Sequence, residues 1–279
     1  MHQSTRSNTR ASDLATQHQE LKMSIIMKRI ILLAMAALIT GMSAMAQQSK
    51  VVAHRGYWKA PGSAQNSIRA LVKADSIGCW GSEFDVWSTA DGVLVVNHDA
   101  SYNGVAIATS RSHEVLSQIL PNGEYLPSLE SYLEQCKACP DINVVLELKS
   151  HTDKKQEEKA VKKAIKLVKR YGLEKRTTYI TFSREATLNF IKYAPKGTEV
   201  YYLSGDIAPA ELKAMGCAGL DYSLGTMKKH PEWITECHQL GLKVNIWTVN
   251  APDDLQWCID HGADFITTNE PELLQQMLK

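Results

Sequence analysis

The chain has 279 residues, of which 44% are hydrophobic, with 31 Lys and Arg against 30 Asp and Glu. This length suits one large domain or two small ones. A net charge of +1 gives no electrostatic argument for a nucleic-acid partner, because such binding requires a strongly basic face.

The first 46 residues have the pattern of a targeting segment. Residues 1–26 are polar and lack periodicity, and we interpret them as a spurious or disordered extension in front of the true start. Residues 27–46 combine a basic beginning, an apolar run and a small-residue cleavage site at Ala44-Met45-Ala46, which is typical of a signal peptide. We therefore predict export to the periplasm or medium after cleavage near Ala46. A genuine polar extension followed by a membrane anchor is the alternative, disfavoured because the apolar run is short for a span.

Residues 47–279 form the predicted mature chain, with no stable membrane span. Without residues 1–46, which hold five Lys or Arg and two Asp or Glu, its net charge is about −2. It contains all six cysteines, and only Cys136 and Cys139 are close in sequence. No second pair or nearby His completes a zinc site, so buried thiols are expected. A disulfide is allowed in an exported protein, but the sequence assigns none.

From residue 51 onward, strand and helix patterns alternate with short turns between them. The predicted strands cover residues 51–54, 81–86, 93–97, 143–148, 177–182, 199–203, 219–223, 243–249 and 265–268. The predicted helices cover residues 67–77, 129–136, 156–171, 184–193, 208–215, 231–240, 252–261 and 271–278. Glycines follow many of the helices and prolines begin three of them, as left-handed C-caps and first helical turns require.

Repeated β-then-α units predict a parallel sheet, because each crossover helix covers one face. If residues 93–97 belong to the loop region after the second strand, eight β/α units remain. Eight units close a (β/α)₈ TIM barrel, which we predict for residues 47–279. An open doubly wound sheet is the alternative, disfavoured because no Gly-x-Gly-x-x-Gly turn follows the first strand. Residues 100–127 lack a clear period, and we predict an elaborated loop there at the mouth of the site.

Acidic side chains stand near the ends of two predicted strands, where TIM barrels carry catalytic residues. Glu83 and Asp85 are two residues apart and so point to one face of their strand. Glu147 shares a face with Lys149 for the same reason. Three carboxylates at one mouth would repel each other without a cation among them. Oxygen ligands favour Mg²⁺ or Ca²⁺ over zinc.

Two histidines add side chains that can transfer protons. His54 and His98 suit paired proton transfer, since imidazole titrates near neutral pH. One would take a proton from the nucleophile while the other protonates the leaving alkoxide. Arg55 offers a fork that matches phosphate oxygens, and Lys149 adds a point charge. A lone His at a strand end is more often structural, but the neighbouring Arg55 and Asp99 favour a functional role. Together these residues predict metal-assisted cleavage of a phosphate ester.

From Val51 to its C-terminus, the chain resembles the glycerophosphodiester phosphodiesterases, a metal-dependent (β/α)₈-barrel family. Six short motifs in order carry the resemblance: His54-Arg55-Gly56, Glu83-Phe84-Asp85, His98-Asp99, Leu126-Pro127-Ser128-Leu129-Glu130, Glu147-Leu148-Lys149 and Trp247-Thr248-Val249-Asn250.

The resemblance implies a role for each candidate residue. It implies His54 and His98 as the acid/base pair. The metal ligands that it implies are Glu83, Asp85 and Glu147. It also places Arg55 and Lys149 at the phosphate and Trp247 in the pocket wall.

Two positions depart from the family pattern. Where the family usually has Pro-Glu-Asn-Thr, this chain has Ala64-Gln65-Asn66-Ser67, so Gln65 replaces a carboxylate by a neutral amide. That change either weakens metal binding or alters a hydrogen bond around it. Asn269 stands where Asp is usual. We expect altered tuning and not loss of activity.

The signal-peptide pattern predicts an exported protein, and the resemblance implies an enzyme that hydrolyses a small glycerophosphodiester to glycerol 3-phosphate and an alcohol. The nucleophile is water or the glycerol 2-hydroxyl. A phospholipase D-like enzyme acting on lysophospholipid or sphingomyelin is one alternative, disfavoured because residues 100–127 are mostly polar. A catalytically dead barrel that binds phosphodiesters is another, disfavoured because no expected catalytic group is missing. The head group, the choice between Ca²⁺ and Mg²⁺ and the oligomeric state are left open.

Overall fold

The structure, a computed structural model, describes Met27 and residues 48–279. Apart from Met27, the predicted extension and signal peptide lie outside the described residues. Within the described part, no helix has the length and hydrophobicity needed to cross a membrane.

Residues 48–279 contain eleven strands, and eight of them run parallel and close into a barrel. The strands are β1 (Lys50–Ala53), β2 (Gly81–Ser88), β3 (Leu94–Val96), β4 (Ser101–Tyr102), β5 (Val105–Ala106), β6 (Asn143–Leu148), β7 (Thr177–Thr181), β8 (Glu199–Tyr202), β9 (Gly219–Ser223), β10 (Lys243–Trp247) and β11 (Phe265–Thr268). The barrel order is β1-β2-β6-β7-β8-β9-β10-β11, and β1 pairs with β11 to close it. The predicted (β/α)₈ barrel is confirmed.

Helices connect successive barrel strands and cover the outside. They are α1 (Ile68–Ser76), α2 (Ser112–Leu116), α3 (Leu129–Ala138), α4 (Lys154–Arg170), α5 (Arg184–Tyr193), α6 (Pro209–Met215), α7 (Leu224–Lys229), α8 (Glu232–Gln239), α9 (Pro252–Asp260) and α10 (Pro271–Met277). Side-chain oxygens of Ser67, Ser128 and Ser183 accept hydrogen bonds from first-turn amides of α1, α3 and α5. These N-caps satisfy donors that a helix leaves unpaired.

Each strand divides its side chains between two apolar layers. In β9, Leu220 and Tyr222 pack toward the helices in the main core. A smaller cluster fills the barrel interior and includes Ile180, Tyr201 and Phe265. Packing there is tight at Gly219, since a Cβ at this position would lie 2.1 Å from the Lys243 carbonyl oxygen. The barrel interior is therefore filled by side chains and is not an open channel.

The region after β2 is more structured than the sequence predicts. β3 pairs antiparallel with β2 and stands outside the parallel barrel, as expected for residues 93–97. Residues 100–127 contain the β4–β5 hairpin, a 3₁₀ turn and α2, packed on a small core around Ile107 and Val115. These elements have two to five residues each, too short for a visible period. All six cysteines are free and buried.

Candidate active site

The candidate residues converge on one pocket at the C-terminal ends of the barrel strands. The pocket has a volume of about 480 Å³ including its open mouth, and its wall comprises His54, Arg55, Glu83, His98, Glu147, Lys149, Ile180, Phe182, Leu203, Asp221, Trp247, Thr248 and Thr267. Asp85 is buried beside this wall, 3.1 Å from the Lys149 ammonium. All eight residues named from the sequence therefore meet at one place.

A tight turn after β1 holds the first cluster against the second. Arg55 has a left-handed backbone (φ 57°), and its amide donates to Glu83 Oε2 at 2.8 Å. Gly56 follows with φ 72°, and a Cβ there would lie 2.7 Å from the backbone of Ala70 in α1. Only glycine fits this close approach without strain. The turn therefore fixes the Glu83 carboxylate and directs Arg55 over the pocket.

Three buried carboxylates form a compact acidic cluster. Glu83, Asp85 and Glu147 each offer one oxygen, and these oxygens lie within 4.8 Å of one another. Lys149 Nζ lies 3.1 Å from Asp85 and 2.7 Å from Glu147. Asn66 Nδ2 donates to Asp85 Oδ2 at 2.8 Å. Glu83 Oε1 is buried and has no hydrogen-bond partner in residues 48–279.

The acidic cluster carries more negative charge than its surroundings neutralise. Burial, followed by repulsion from Asp85, raises the pKa of Glu83 well above its usual value. The same two causes raise the pKa of Glu147 to about 7. Burial alone would raise the pKa of Asp85, but Lys149 and Asn66 lower it overall. Three oxygen donors and a partnerless carboxylate oxygen fit a divalent cation such as Mg²⁺ or Ca²⁺.

Asn269 determines which nitrogen of His54 carries the proton. Asn269 Oδ1 lies 2.9 Å from His54 Nδ1 and accepts a 2.9 Å hydrogen bond from Trp58 Nε1. Since the indole nitrogen can only donate, this Asn269 atom is an acceptor, and His54 Nδ1 must donate to it. Burial and the nearby Arg55 charge lower the pKa of His54 to about 4. The neutral ring therefore has an unprotonated Nε2, which lies 4.0 Å from Glu83.

His98 has a different partner. Its Nδ1 donates to Asp99 at 2.7 Å, and its main-chain carbonyl accepts from Trp87 Nε1 at 3.1 Å. The imidazole ring is 40% exposed at the pocket mouth. The Asp99 contact orients the ring at the pocket mouth, a position that suits a residue that transfers a proton.

The Gln65 departure is located outside the acidic cluster. Gln65 Oε1 accepts a 2.6 Å hydrogen bond from Arg55 Nη1. Asn66, with φ 60°, supplies the contact to Asp85 instead. In this structure the substitution therefore affects the orientation of Arg55 most directly.

Sequence reasoning missed Asp221, which lines the inner part of the pocket. Its backbone carbonyl accepts a 2.8 Å hydrogen bond from Trp247 Nε1, and Phe182 packs edge-on against Trp247 at 5.5 Å. An acidic residue between apolar neighbours in the Gly219–Ser223 strand is the signal that identifies it, since Leu220 and Tyr222 face outward. The aromatic pair and Asp221 together form one side of the pocket.

Comparison with known proteins relates the chain to one enzyme family. The model of the glycerophosphoryl diester phosphodiesterase family matches residues 54–273. A glycerophosphodiester phosphodiesterase from Caldanaerobacter subterraneus subsp. tengcongensis is 29% identical over 82% of this chain and 97% of its own. The crystal structure of one from Parabacteroides distasonis is 47% identical, with a TM-score of 0.82, over 83% of this chain and 97% of its own.

A more distant solved structure shares the fold. It is a phosphodiesterase from Oleispira antarctica in complex with the product sn-glycerol-3-phosphate. Its TM-score is 0.70 at 21% identity, over 82% of this chain and 96% of its own. This likeness supports the barrel architecture only.

The Asn269 contact predicts a specific effect on His54. Asn269→Leu removes the acceptor of the Nδ1 proton, so the neutral ring should populate both tautomers and kcat/KM for phosphodiester hydrolysis should fall about 10–100-fold. Asn269→Asp keeps an acceptor and should stay within a few-fold of the wild type. ¹⁵N NMR of the histidine ring reports the tautomer directly. A ring that keeps its Nδ1 proton in Asn269→Leu would contradict this assignment.

Proposed function

The chain belongs to the glycerophosphoryl diester phosphodiesterase family, and we propose that it is an exported, metal-dependent enzyme that hydrolyses glycerophosphodiesters to glycerol 3-phosphate and an alcohol. The observation that carries this proposal is the acidic cluster beside two histidines and two cationic side chains in one pocket. Such a set recognises phosphate and moves protons on both sides of it.

Glu83, Asp85 and Glu147 would hold the metal, Ca²⁺ or Mg²⁺. When bound, a divalent cation polarises the phosphoryl oxygens and lowers the pKa of an attacking hydroxyl. Arg55 and Lys149 border the same space and would hold the phosphate oxygens. Lys149 also contacts two of the three carboxylates, so it couples the phosphate position to the acidic cluster.

The two histidines would divide the proton transfers. His54 presents an unprotonated Nε2 and suits the base that accepts a proton from the nucleophile, either water or the glycerol 2-hydroxyl. His98, paired with Asp99, suits the acid that protonates the leaving alkoxide. Trp247 would form the wall that orients the substrate. The hydrogen-bond partners of each ring and its position on the pocket support these roles.

The phospholipase D-like alternative has weaker support. A second depression next to the pocket shares Arg55 and His98 with it, and its lining mixes polar side chains such as Gln65, Asn97 and Asp99 with apolar ones such as Trp58, Leu120 and Pro121. Support for a soluble head group over an acyl chain therefore rests on the polar character of residues 100–127 in the sequence. The catalytically dead alternative would need a missing catalytic group, and each candidate residue is present at the pocket.

Purified protein should hydrolyse glycerophosphocholine and glycerophosphoinositol, and lysophosphatidylcholine much more slowly. His98→Ala should lower kcat by about 10²–10⁴-fold because the leaving alkoxide loses its acid. His113→Ala is the matched control, since His113 is exposed on α2 and should leave the rate unchanged. Preferred turnover of lysophosphatidylcholine would support the alternative enzyme. An unchanged rate in His98→Ala would refute its role as acid.

Metal removal should affect both activity and stability. EDTA should abolish hydrolysis, and Ca²⁺ or Mg²⁺ should restore it and raise Tm, because a cation that binds only the folded state stabilises it. Glu83→Gln should lose the cation-induced rise in Tm. In EDTA at pH 8 its Tm should exceed the wild type, because the raised pKa of Glu83 makes its ionisation destabilising above pH 4.5. Each kcal/mol of added unfolding free energy corresponds to a rise in Tm of about 2–4 °C. Full activity in EDTA would exclude the metal.

Export is supported by the sequence pattern of residues 27–46 alone. N-terminal sequencing of the protein recovered from cells should begin at Gln47, in the periplasmic or secreted fraction. A protein that retains Met27 and residues 30–39 and remains with the membrane would favour the anchor alternative.

A further inference from the structure

Asp221 is a buried carboxylate that the mechanism above does not use. Its side chain lines the pocket, yet the residue is only 1% exposed. Neither carboxylate oxygen has a hydrogen-bond partner within residues 48–279. Burying a carboxylate without partners costs free energy, so such a residue is unexpected in a purely structural role.

Neighbouring polar groups are engaged elsewhere. Asn245, which lies in register with Asp221 on β10, opposes the burial that raises the pKa of Asp221, but its amide group exchanges its hydrogen bonds, of 2.9 and 3.1 Å, with Thr267. Trp247 Nε1 donates to the main-chain carbonyl of Asp221 and not to its carboxylate. The hydrogen-bonding capacity of the Asp221 side chain is therefore available to a molecule in the pocket.

A second buried aspartate shows how the fold satisfies a structural carboxylate. Asp264 precedes β11 and accepts hydrogen bonds from the Val244 amide at 2.8 Å and from His238 Nε2 at 2.9 Å. Asp221 has no equivalent partners among the described residues. The contrast indicates that Asp221 is kept for a ligand.

The shape of the pocket indicates which part of the substrate reaches Asp221. Arg55 and Lys149 would hold the phosphate beside the acidic cluster, and Phe182 and Trp247 form an apolar wall next to Asp221. Glycerol is short, with carbon-bound hydrogens that suit an apolar wall and a hydroxyl at the end distant from phosphate. Burial raises the pKa of Asp221 to about 8, so near neutral pH its carboxyl group can donate as well as accept.

We propose that Asp221 hydrogen-bonds the terminal hydroxyl of the glycerol moiety and thereby selects substrates in which this hydroxyl is free. The inference rests on the proposed function and extends it to one specificity-determining residue. A lysophospholipid acylated at this hydroxyl lacks the donor and leaves Asp221 buried without a partner, which disfavours binding. The Asp221 side chain thus favours the binding of deacylated glycerophosphodiesters over that of lysophospholipids.

The test compares two substrates that differ by one hydroxyl. 2-Hydroxypropyl phosphocholine lacks only the terminal hydroxyl of glycerophosphocholine and keeps the 2-hydroxyl that serves as a possible nucleophile. Wild-type protein should prefer glycerophosphocholine by about 10–100-fold in kcat/KM. Asp221→Leu should reduce that preference to a few-fold, chiefly through KM for glycerophosphocholine. Asp221→Asn, whose amide still accepts and donates, should retain an intermediate preference.

Stability measurements separate specificity from folding. Tm of Asp221→Leu should equal or exceed that of the wild type, because a buried carboxyl group without hydrogen-bond partners is replaced by an apolar side chain. Asp264→Asn is the matched control; it should lower Tm and leave the substrate preference unchanged. A wild-type preference that persists in Asp221→Leu, or equal turnover of both substrates by wild type, would overturn the proposal.

If the proposed phosphodiesterase function is wrong, the outcome differs from the outcome expected if only the role of Asp221 is wrong. If wild-type protein hydrolyses neither substrate, calorimetry with glycerol 3-phosphate and 2-hydroxypropyl phosphate still tests Asp221. Tighter binding of glycerol 3-phosphate by wild type, lost in Asp221→Leu, would support the terminal-hydroxyl contact without turnover. Equal binding of both phosphates by wild type would refute it.

Discussion

The repulsion among Glu83, Asp85 and Glu147 is the constraint on which the rest of the site depends. Three carboxylates cannot stay ionised within 4.8 Å of one another unless positive charge and hydrogen-bond donors surround them. Lys149 contacts two of them, and the Arg55 amide donates to the third. A divalent cation bound among these carboxylates would complete a charge balance that the protein alone leaves incomplete.

The barrel supplies this arrangement through its register. Asp85 pairs with Glu147 across adjacent parallel strands, so the two carboxylates reach the same height at the C-terminal end. The turn after β1 then adds Arg55 and His54 from a neighbouring strand, since β1 also pairs with β2. The C-terminal ends of β1, β2 and β6 therefore bring these residues together. Because each residue lies at or just after a strand end, short motifs in the sequence identify most of the site.

The sequence predicts well the features that depend on hydrophobic periodicity and on the ends of strands. The boundaries of β6, β9, β11 and α5 agree with the predicted ranges, and the carboxylates, histidines and cations meet as expected. The hairpin and α2 between residues 100 and 127 were missed because elements this short depend on tertiary contacts. Asp221 was missed for another reason, since its position inside an apolar strand resembles no motif. The partner of His54, in contrast, coincides with a departure visible in the sequence, Asn269.

The distribution of unsatisfied carboxylates distinguishes function from structure in this fold. Glu157 is as deeply buried as any acidic residue, yet it accepts from the His151 amide at 3.0 Å and from Ser183 Oγ at 2.8 Å. Within residues 48–279, the buried carboxylate oxygens without a polar partner belong to Glu83 and Asp221, which both line the pocket, whereas Glu147 Oε1 lies 2.7 Å from Lys149 Nζ. Since the fold satisfies such groups elsewhere, their presence in this pocket supports a role in ligand binding. The free energy that such unsatisfied groups cost in the free protein would be offset when a ligand supplies their partners.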